Sequence, residues 1–179
     1  MKKQIIISGF GGQGVMSIGK SLVEAAVDEG MHATWVPSYG PEMRGGTANC
    51  SVVLSDEPVG SPVFTYPTEL IAMNLPSLTK FEPNVVAGGT IFVNSSIISQ
   101  KVERKDVRAV YVPCDAIADQ LGNKKVSNMV MLGAYIAATG ALKEETIRHM
   151  LVEMFTGPKA KLVELNMKAL EEGAKCLEG

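Results

Sequence analysis

Apolar residues in the first third of the chain fall into short runs that indicate a strand, a helix and a second strand. Residues 5–8 form a compact β-branched run before a cluster of glycines, which predicts a strand. Apolar residues at helical spacing over 15–26 predict a helix, with Gly30 as the glycine that ends it. Extended character returns over 32–36 and is expected to stop at Pro37. This part of the chain therefore predicts a β-α-β unit.

The middle of the chain predicts a mixed sheet. Residues 47–54 form a strand-like run rich in β-branched residues, and no helix fits between Pro37 and Gly46. A parallel pair of strands needs a crossover of about a dozen residues, so this short connection predicts an antiparallel neighbour. Further segments are predicted as strands at 69–73, 90–94 and 109–112, with a helix at 75–81.

The C-terminal third shows only helical patterns, over 115–121, 127–139, 143–155 and 160–177. Residues 130–138 are apolar on nearly all sides, which predicts a helix covered by the sheet and by later helices. Ser127 is expected to cap that helix. We therefore predict an α/β fold, a Rossmann-like three-layer αβα arrangement with a mostly parallel, mixed sheet and a helical C-terminal third, as one domain over residues 1–179.

Composition narrows the classes of protein. Of the 179 residues, 46% are hydrophobic and 20% charged, which is typical of a globular protein, and the net charge of −2 argues against nucleic acid as a partner. The apolar N-terminal run is too short for a signal or membrane segment, so we expect a cytoplasmic protein with no membrane association. Cys50, Cys114 and Cys176 are far apart, which indicates reduced thiols rather than disulfides or an iron–sulfur site.

A glycine-rich loop, Gly9–Gly14, follows the first strand and precedes the first helix, where a phosphate-binding loop is expected. It satisfies the GxGxxG pattern, although Gln13 is unusual for it. A dinucleotide site also needs an acidic residue at the end of the second strand, and residues 36–39 contain none. An anionic ligand other than NAD is therefore favoured. The alternative is a tight turn whose glycines only allow close packing of helix and strand.

Two further segments carry positive charge. Arg44 lies in a proline- and glycine-rich stretch after the second strand, and its planar guanidinium suits phosphate or carboxylate; alternatively it pairs with Glu42 or solvent. Lys124 and Lys125 could attract a polyphosphate, or be a solvated pair. No Ser-His-Asp or Cys-His set, metal-ligand cluster or GxxxxGK[ST] loop is recognisable. We therefore predict no catalytic or metal-binding residue, and doubt that the chain is a self-sufficient enzyme.

Three motifs together resemble the gamma subunit family of 2-oxoacid:ferredoxin oxidoreductases. They are Gly9–Val15, Pro37–Ala48 and Ser61–Pro62, and the resemblance covers nearly the whole chain. Within that family, the segment Pro37–Gly46 is most similar to the 2-oxoglutarate branch, whose relatives act on pyruvate, branched-chain 2-oxoacids or indolepyruvate.

The resemblance implies a division of labour. Enzymes of this family oxidatively decarboxylate a 2-oxoacid on thiamine diphosphate, pass electrons through iron–sulfur clusters to ferredoxin, and release an acyl-CoA. The implied partners are alpha and beta subunits, with a delta subunit as a further candidate, and ferredoxin through the complex. Thiamine diphosphate, magnesium and the clusters are expected on those partners. This chain is expected to bind no cofactor tightly, with coenzyme A as a ligand at its surface.

We therefore hypothesise a site that shapes the place where coenzyme A reaches the thiamine adduct. Backbone N–H groups of Gly11–Gly14 would receive a phosphate, Arg44 would add a charge-assisted contact, and Lys124 or Lys125 would add long-range attraction. The residues assigned to the site are Gly11, Gly12, Gln13, Gly14, Ser38, Tyr39, Arg44, Gly45 and Asn128. Two alternatives stay open: a nucleotide-binding module that acts alone, and a structural subunit whose glycine loops only pack against partner chains.

Overall fold

The computed structural model describes residues 1–39 and 47–177, and a six-stranded sheet lies at its centre. The strands are β1 (Lys2–Phe10), β2 (His32–Tyr39), β3 (Thr47–Ser55), β4 (Glu69–Ala72), β5 (Thr90–Asn94) and β6 (Arg108–Val112). Their order across the sheet is β2-β3-β1-β4-β5-β6. β1, β4, β5 and β6 pair in parallel, whereas β3 is antiparallel to both of its neighbours. The predicted mixed, mostly parallel sheet is therefore confirmed, including the antiparallel neighbour.

Helices follow the positions that apolar spacing predicts. They are α1 (Val15–Asp28), α2 (Leu75–Phe81), α3 (Cys114–Gln120), α4 (Ser127–Thr139), α5 (Glu144–Met154) and α6 (Leu162–Lys175). Short 3-10 helices cover Glu82–Asn84, Lys124–Val126 and Gly157–Lys159. The four helices predicted after residue 114 are all present.

Two apolar layers sandwich the sheet because alternate strand residues point to opposite faces. Ile5 and Ile7 contribute to the larger layer with α1, α3, α4, α5 and α6, whereas Ile6 belongs to a smaller layer with Leu78 of α2. The three-layer α/β architecture is therefore confirmed, with layers of unequal thickness. α4 is buried along Ser127–Ile136, as its nearly uniform apolar character predicts.

The end of α1 was predicted correctly. Gly30 has a φ of 81°, and the amide of Met31 donates to the carbonyl of Ala26 at 2.9 Å, which closes the helix with a left-handed residue.

Two local predictions were wrong. β2 does not stop at Pro37 but continues to Tyr39, because β2 is an edge strand in which the missing proline N–H disrupts little, and Pro37 pairs with Cys50 of β3. Ser127 does not cap α4: it is already helical, Val126 occupies the cap position, and no described side chain caps there. Asn123 instead accepts a hydrogen bond from the amide of Lys125 at 3.0 Å, just before the helix.

Candidate functional site

A ligand site is expected at the carboxyl ends of the parallel strands. After β1 the chain passes through α1 to β2 on one side, whereas β4 lies on the other side of β1 and leads to β5 and β6. Such a point, where successive strands diverge, leaves a crevice beyond the strand ends that open α/β sheets use for ligands. The Gly11–Gly14 segment lies at this crevice, directly after β1.

Glycine is required in the loop for two different reasons. Gly12 and Gly14 have φ angles of 91° and 74°, in the left-handed region that other residues rarely adopt. A Cβ on Gly9 would lie 2.8 Å from Cβ of Met73 and 2.9 Å from a methyl group of Val15, so close packing alone excludes a side chain there. Around Gly12 there is open space within 4 Å of such a Cβ, and Gly11 is also exposed. A ligand can therefore approach the loop from its outer side.

Gln13 fixes the loop to the sheet. Its side-chain oxygen accepts a hydrogen bond from the amide of Phe10 at 2.6 Å, and its side-chain nitrogen donates to the carbonyl of Met73 at 3.0 Å. One residue thus ties the end of β1 to the end of β4 across the crevice. Gln13 was assigned to the site, and the structure places it there. Its side-chain amide bonds to other residues of the chain, so Gln13 contributes to the site by positioning the loop.

Asn128 lies against the same loop. It is the second residue of α4, it is 9% exposed, and a Cβ on Gly14 would come within 2.8 Å of its Cβ. Its side-chain oxygen accepts a hydrogen bond from the amide of Met129 at 3.0 Å. The structure thus brings together two assigned residues that are far apart in sequence, and Gly14 must lack a side chain to admit Asn128.

The other assigned residues are more distant or outside the described part of the chain. Ser38 is exposed at the end of β2, two strands from β1, which corresponds to ~10 Å at the usual spacing between strands. Tyr39 ends the same strand, opposite Ala48. Arg44 and Gly45 lie outside the described residues, so their predicted roles stay predictions.

A group of buried polar side chains at the ends of β4 to β6 was not assigned from the sequence. Asn94 donates to the carboxylate of Asp115 at 2.9 Å and to the carbonyl of Met73 at 3.4 Å. Asn74 accepts from the amide of Ser77 at 3.0 Å and so caps α2. The remaining side-chain atoms, Nδ2 of Asn74 and Oδ1 of Asn94, are buried without a partner among the described residues. The sequence did contain a signal for this group, because Asn94 ends one apolar strand and Asn74 follows another.

The two lysines before α4 differ in their surroundings. Lys124 is directed toward Asp119, with 3.9 Å between the charged atoms, and 80% of its side chain is exposed. Lys125 instead lines a pocket beside the glycine loop, together with Asn128. Of the two cations considered for an anionic ligand, Lys125 is therefore the one next to the site.

The two fully buried cysteines are not activated as nucleophiles. Burial raises the pKa of the Cys50 thiol to about 12, and burial together with Asp115 raises the pKa of Cys114, so neither is a thiolate at neutral pH. Among residues 1–39 and 47–177, no group of three or more histidine, cysteine or acidic side chains is arranged to hold a metal ion. In the same residues, no helix is long and apolar enough to cross a membrane.

This fold and loop define a class of protein: an open α/β domain with a glycine-rich loop between the first of its parallel strands and the helix that follows. Residues 4–176 match the family model described as pyruvate ferredoxin/flavodoxin oxidoreductase. The chain therefore belongs to that family, as one of its gamma-type 2-oxoacid:ferredoxin oxidoreductase subunits.

Two curated relatives illustrate the match. The chain is 45% identical over 174 residues to ketoisovalerate oxidoreductase subunit VorA of Methanothermobacter thermautotrophicus, covering 96% of this chain and 36% of VorA. It is 37% identical over 160 residues to 2-oxoglutarate synthase subunit KorC of Methanothermobacter marburgensis, covering 83% of this chain and 86% of KorC. The chain thus spans little more than a third of the length of VorA, but most of the length of KorC.

Two solved structures share the fold. The gamma subunit of the keto/oxoacid ferredoxin oxidoreductase of Geobacter sulfurreducens matches with a TM-score of 0.83 and 30% identity over 99% of both chains. A chain of the 2-oxoglutarate:ferredoxin oxidoreductase of Magnetococcus marinus, solved with 2-oxoglutarate, coenzyme A and succinyl-CoA bound, matches with a TM-score of 0.90 and 20% identity. That match covers 99% of this chain and 31% of the Magnetococcus chain, so it supports the fold of this domain.

Proposed function

We propose that the chain is the coenzyme A-positioning subunit of a complex that oxidatively decarboxylates a 2-oxoacid to an acyl-CoA and passes electrons to ferredoxin. Alpha and beta subunits, with a delta subunit as a further candidate, would carry the thiamine diphosphate, magnesium and iron–sulfur clusters. The observation that carries the proposal is a glycine loop that is held rigidly at its base and open on its outer side, in a chain of this family.

The loop suits the phosphates of coenzyme A. Amide groups at the start of α1 have no partners inside the helix and lie at its partially positive end, and no acidic residue occupies the first turn to compete with an anion. Gln13 ties the loop to Phe10 and Met73, which reduces the ordering needed when a ligand binds. The benefit to the reaction would be proximity: the thiol of coenzyme A would be held near the acyl group on the partner subunit.

Two 2-oxoacids are the leading candidates for the substrate. The Pro37–Gly46 segment favours 2-oxoglutarate, in agreement with the similarity to KorC. The 45% identity with VorA favours a branched-chain 2-oxoacid about equally. Turnover of the complex, purified through a tag on this chain from its native host, with 2-oxoglutarate, 2-oxoisovalerate, pyruvate and indolepyruvate would decide between them. Turnover with none of the four would contradict the proposed activity.

The role of the glycine loop is tested with a matched pair of glycines. Gly12 and Gly88 have similar φ angles, 91° and 81°, and a Cβ on either would meet no atom within 4 Å. Gly12 lies in the loop at the carboxyl end of β1, whereas Gly88 precedes β5, at the amino ends of the parallel strands. Both valine variants carry the same backbone strain, but only Gly12→Val places a side chain in the proposed phosphate site.

We expect Gly12→Val to weaken binding of coenzyme A to the complex by about tenfold or more, because branched carbon atoms would displace a charge-assisted contact. Gly88→Val is expected to leave the affinity unchanged. Arg44→Ala tests the predicted contact from the neighbouring segment. Titration calorimetry of the three complexes with coenzyme A measures the effect. Unchanged affinity in both Gly12→Val and Arg44→Ala would contradict the proposal that this chain binds coenzyme A.

A further inference from the structure

A chain of hydrogen bonds crosses the carboxyl ends of four adjacent parallel strands and reaches the glycine loop. The side-chain nitrogen of Asn94 donates to the carboxylate of Asp115 at 2.9 Å and to the carbonyl of Met73 at 3.4 Å. That carbonyl also accepts from the side-chain nitrogen of Gln13 at 3.0 Å, and the oxygen of Gln13 accepts from the amide of Phe10 at 2.6 Å. Since the strands lie in the order β1-β4-β5-β6, Asp115 after β6 is connected to a loop ~14 Å away at the usual spacing between strands.

The register of the sheet brings Asn94 beside Met73. Ala72, the last residue of β4, pairs with Val93, and Asn94 ends β5 directly after Val93. Because parallel strands keep a constant register, Met73 and Asn94 are the next neighbours along this pair. The amide of Met73 donates to the carbonyl of Ser8 at 2.8 Å. Met73 is therefore bonded to β1 through its amide and to β5 through its carbonyl.

Two acceptors determine which way the amide of Asn94 faces. Its nitrogen lies near the carboxylate of Asp115 and the carbonyl of Met73, and both of these groups accept hydrogen bonds. If the amide were rotated by 180°, its oxygen would face two acceptors, which is unfavourable. Asp115 therefore orients Asn94 so that the second N–H of the same nitrogen is directed at Met73.

Packing alone does not explain an asparagine at position 94. The side chain is completely buried, and its oxygen has no hydrogen-bond partner among the described residues. Because a buried polar atom without a partner costs free energy, an apolar side chain of similar shape, such as leucine, would pack here at lower cost. Asparagine supplies the two donated bonds, which leucine cannot. We therefore looked to those bonds for its role.

We propose that Asn94 is a positioning residue for the glycine loop, oriented by Asp115 and acting through the carbonyl of Met73 and the side chain of Gln13. The inference rests on the proposed function for the ligand of the loop, whereas the position of the loop is measured without a ligand. In this role neither Asn94 nor Asp115 contacts coenzyme A. They keep the segment Gly11–Gly14 in the position that its backbone N–H groups need to bind a phosphate.

Hydrogen exchange of the full chain, followed residue by residue by NMR, tests the link without a ligand. Asn94→Leu keeps the approximate shape of the side chain and removes both donated bonds. We expect it to speed exchange of the Phe10 amide by about three- to fivefold, a moderate effect because the 3.4 Å bond to Met73 is the longest in the chain. Rates are taken relative to the amides of buried α4, which corrects for a loss of global stability.

Tyr111→Phe is the matched control on the neighbouring strand. The hydroxyl of Tyr111 accepts from the amide of Val102 at 3.0 Å, so this variant also loses a hydrogen bond of β6 but no bond to Met73. The exchange rate of the Phe10 amide should stay within about twofold of wild type. Equal effects of Tyr111→Phe and Asn94→Leu on that amide would overturn the inference.

Two further sets of variants test the path itself. The amide of residue 13 donates to the carbonyl of Phe10 at 3.2 Å and reports on the loop when the Gln13 side chain is absent. Asn94→Leu should not speed its exchange further in a Gln13→Ala background, and additive effects would contradict a path through Gln13. Asp115 is half-buried, so its variants leave the core unchanged. Asp115→Asn keeps an oxygen acceptor and should preserve protection of the loop, whereas Asp115→Ala should lose it; equal protection in the two would contradict the orienting role.

In the assembled complex we expect Asn94→Leu to raise the KM for coenzyme A by about three- to tenfold. The KM for the 2-oxoacid and kcat at saturating coenzyme A should stay within about twofold of wild type. A purely structural role would lower kcat through loss of folded complex and leave both KM values unchanged, and that result would overturn the inference. So would an equal rise in the two KM values.

The Gly12→Val complex separates failure of this inference from failure of the proposed function. If Gly12→Val weakens binding of coenzyme A while Asn94→Leu changes neither the exchange of the loop nor the KM for coenzyme A, the loop site stands and the positioning role of Asn94 is wrong. If Asn94→Leu speeds exchange of the loop but neither variant affects coenzyme A, Asn94 positions the loop and the proposed ligand is wrong.

Discussion

The close contact between α4 and α6, where a glycine of each helix meets the backbone of the other, gives the sharpest prediction about stability. Gly133 of α4 and Gly173 of α6 each face the backbone of the other helix. A Cβ on Gly173 would overlap the carbonyl oxygen of Val130 and lie 2.8 Å from its carbonyl carbon, and a Cβ on Gly133 would overlap the carbonyl oxygen of Leu170. The neighbouring atoms are backbone, so no side-chain rotation can relieve the overlap.

The expected cost of Gly173→Ala follows from this geometry. Ordinary contacts of a Cβ begin near 3.4 Å, so α4 and α6 would have to separate by more than about 1 Å at the crossing. Overpacking of this kind costs ~1–3 kcal/mol, and the upper end applies because two rigid backbones meet. Alanine is favoured over glycine inside a helix by ~0.5–1 kcal/mol, which offsets part of that cost. We expect a net loss of about 2 kcal/mol and a Tm lower by about 4–8 °C for a chain of this size.

Urea unfolding of the full chain, followed by circular dichroism, measures the loss. Ala137→Gly provides the matched control, because Ala137 is exposed within α4 and its replacement reports the helix-propensity contribution alone, ~1 kcal/mol. If Gly173→Ala is as stable as wild type after that correction, the helices do not approach as closely as described. Gly133→Ala should repeat the loss from the opposite side of the crossing.

Three further predictions concern the loop and the thiols. Gln13→Ala should lower the free energy of unfolding by about 1–2 kcal/mol, because the side-chain hydrogen bonds of Gln13 to Phe10 of β1 and to Met73 just after β4 are lost; an unaltered urea midpoint would argue against this link. Gly14→Ala should destabilise through its φ of 74° and its overlap with Asn128, and Asn128→Gly, which removes the overlapping Cβ as well, should recover only the overlap, so a double-mutant cycle should give a coupling of about 1 kcal/mol; strict additivity would contradict the contact. At pH 8, iodoacetamide should label the half-buried Cys176 first, because a Cys50 thiol with a pKa of about 12 is ionised to only about one part in ten thousand; early labelling of Cys50, detected by mass spectrometry, would refute its burial.

Most of the secondary structure could be predicted because it depends on local spacing. α4 was predicted at its observed bounds, since apolar residues on all sides indicate a covered helix whatever its partners are. The end of α1 at Gly30 was likewise encoded in one residue. Pro37 shows the limit of local reasoning. A proline interrupts a central strand but is tolerated in an edge strand, and the position of a strand in the sheet is decided by pairings with residues that are distant in sequence.

The site was predicted in part for the same reason. The glycine loop is a local pattern between a strand and a helix, so its position could be predicted. The contact of Gly14 with Asn128 joins residues more than a hundred positions apart, and the bonds made by Gln13 depend on β4 lying next to β1. The pocket could not be predicted either, because four separate segments meet to form it. The spacing of residues along the sequence does not indicate which distant segments come into contact.

The arrangement of bonds around the loop is consistent with the binding role proposed for it. The polar side chains nearest the loop are engaged within the chain: Gln13 bonds to both strands, and Asn128 accepts from the amide that follows it. The Gln13 side chain therefore fixes the loop, whereas the bond of Asn128 lies within α4 and Asn128 meets the loop only by packing against Gly14. What remains for a ligand is the outer face of the glycines and the start of α1, which attract an anion but transfer no proton. Under the proposed function, this loop would hold one end of coenzyme A in a fixed position, and orientation of the thiol toward a reacting group on a partner subunit would contribute up to roughly 7–11 kcal/mol toward the barrier.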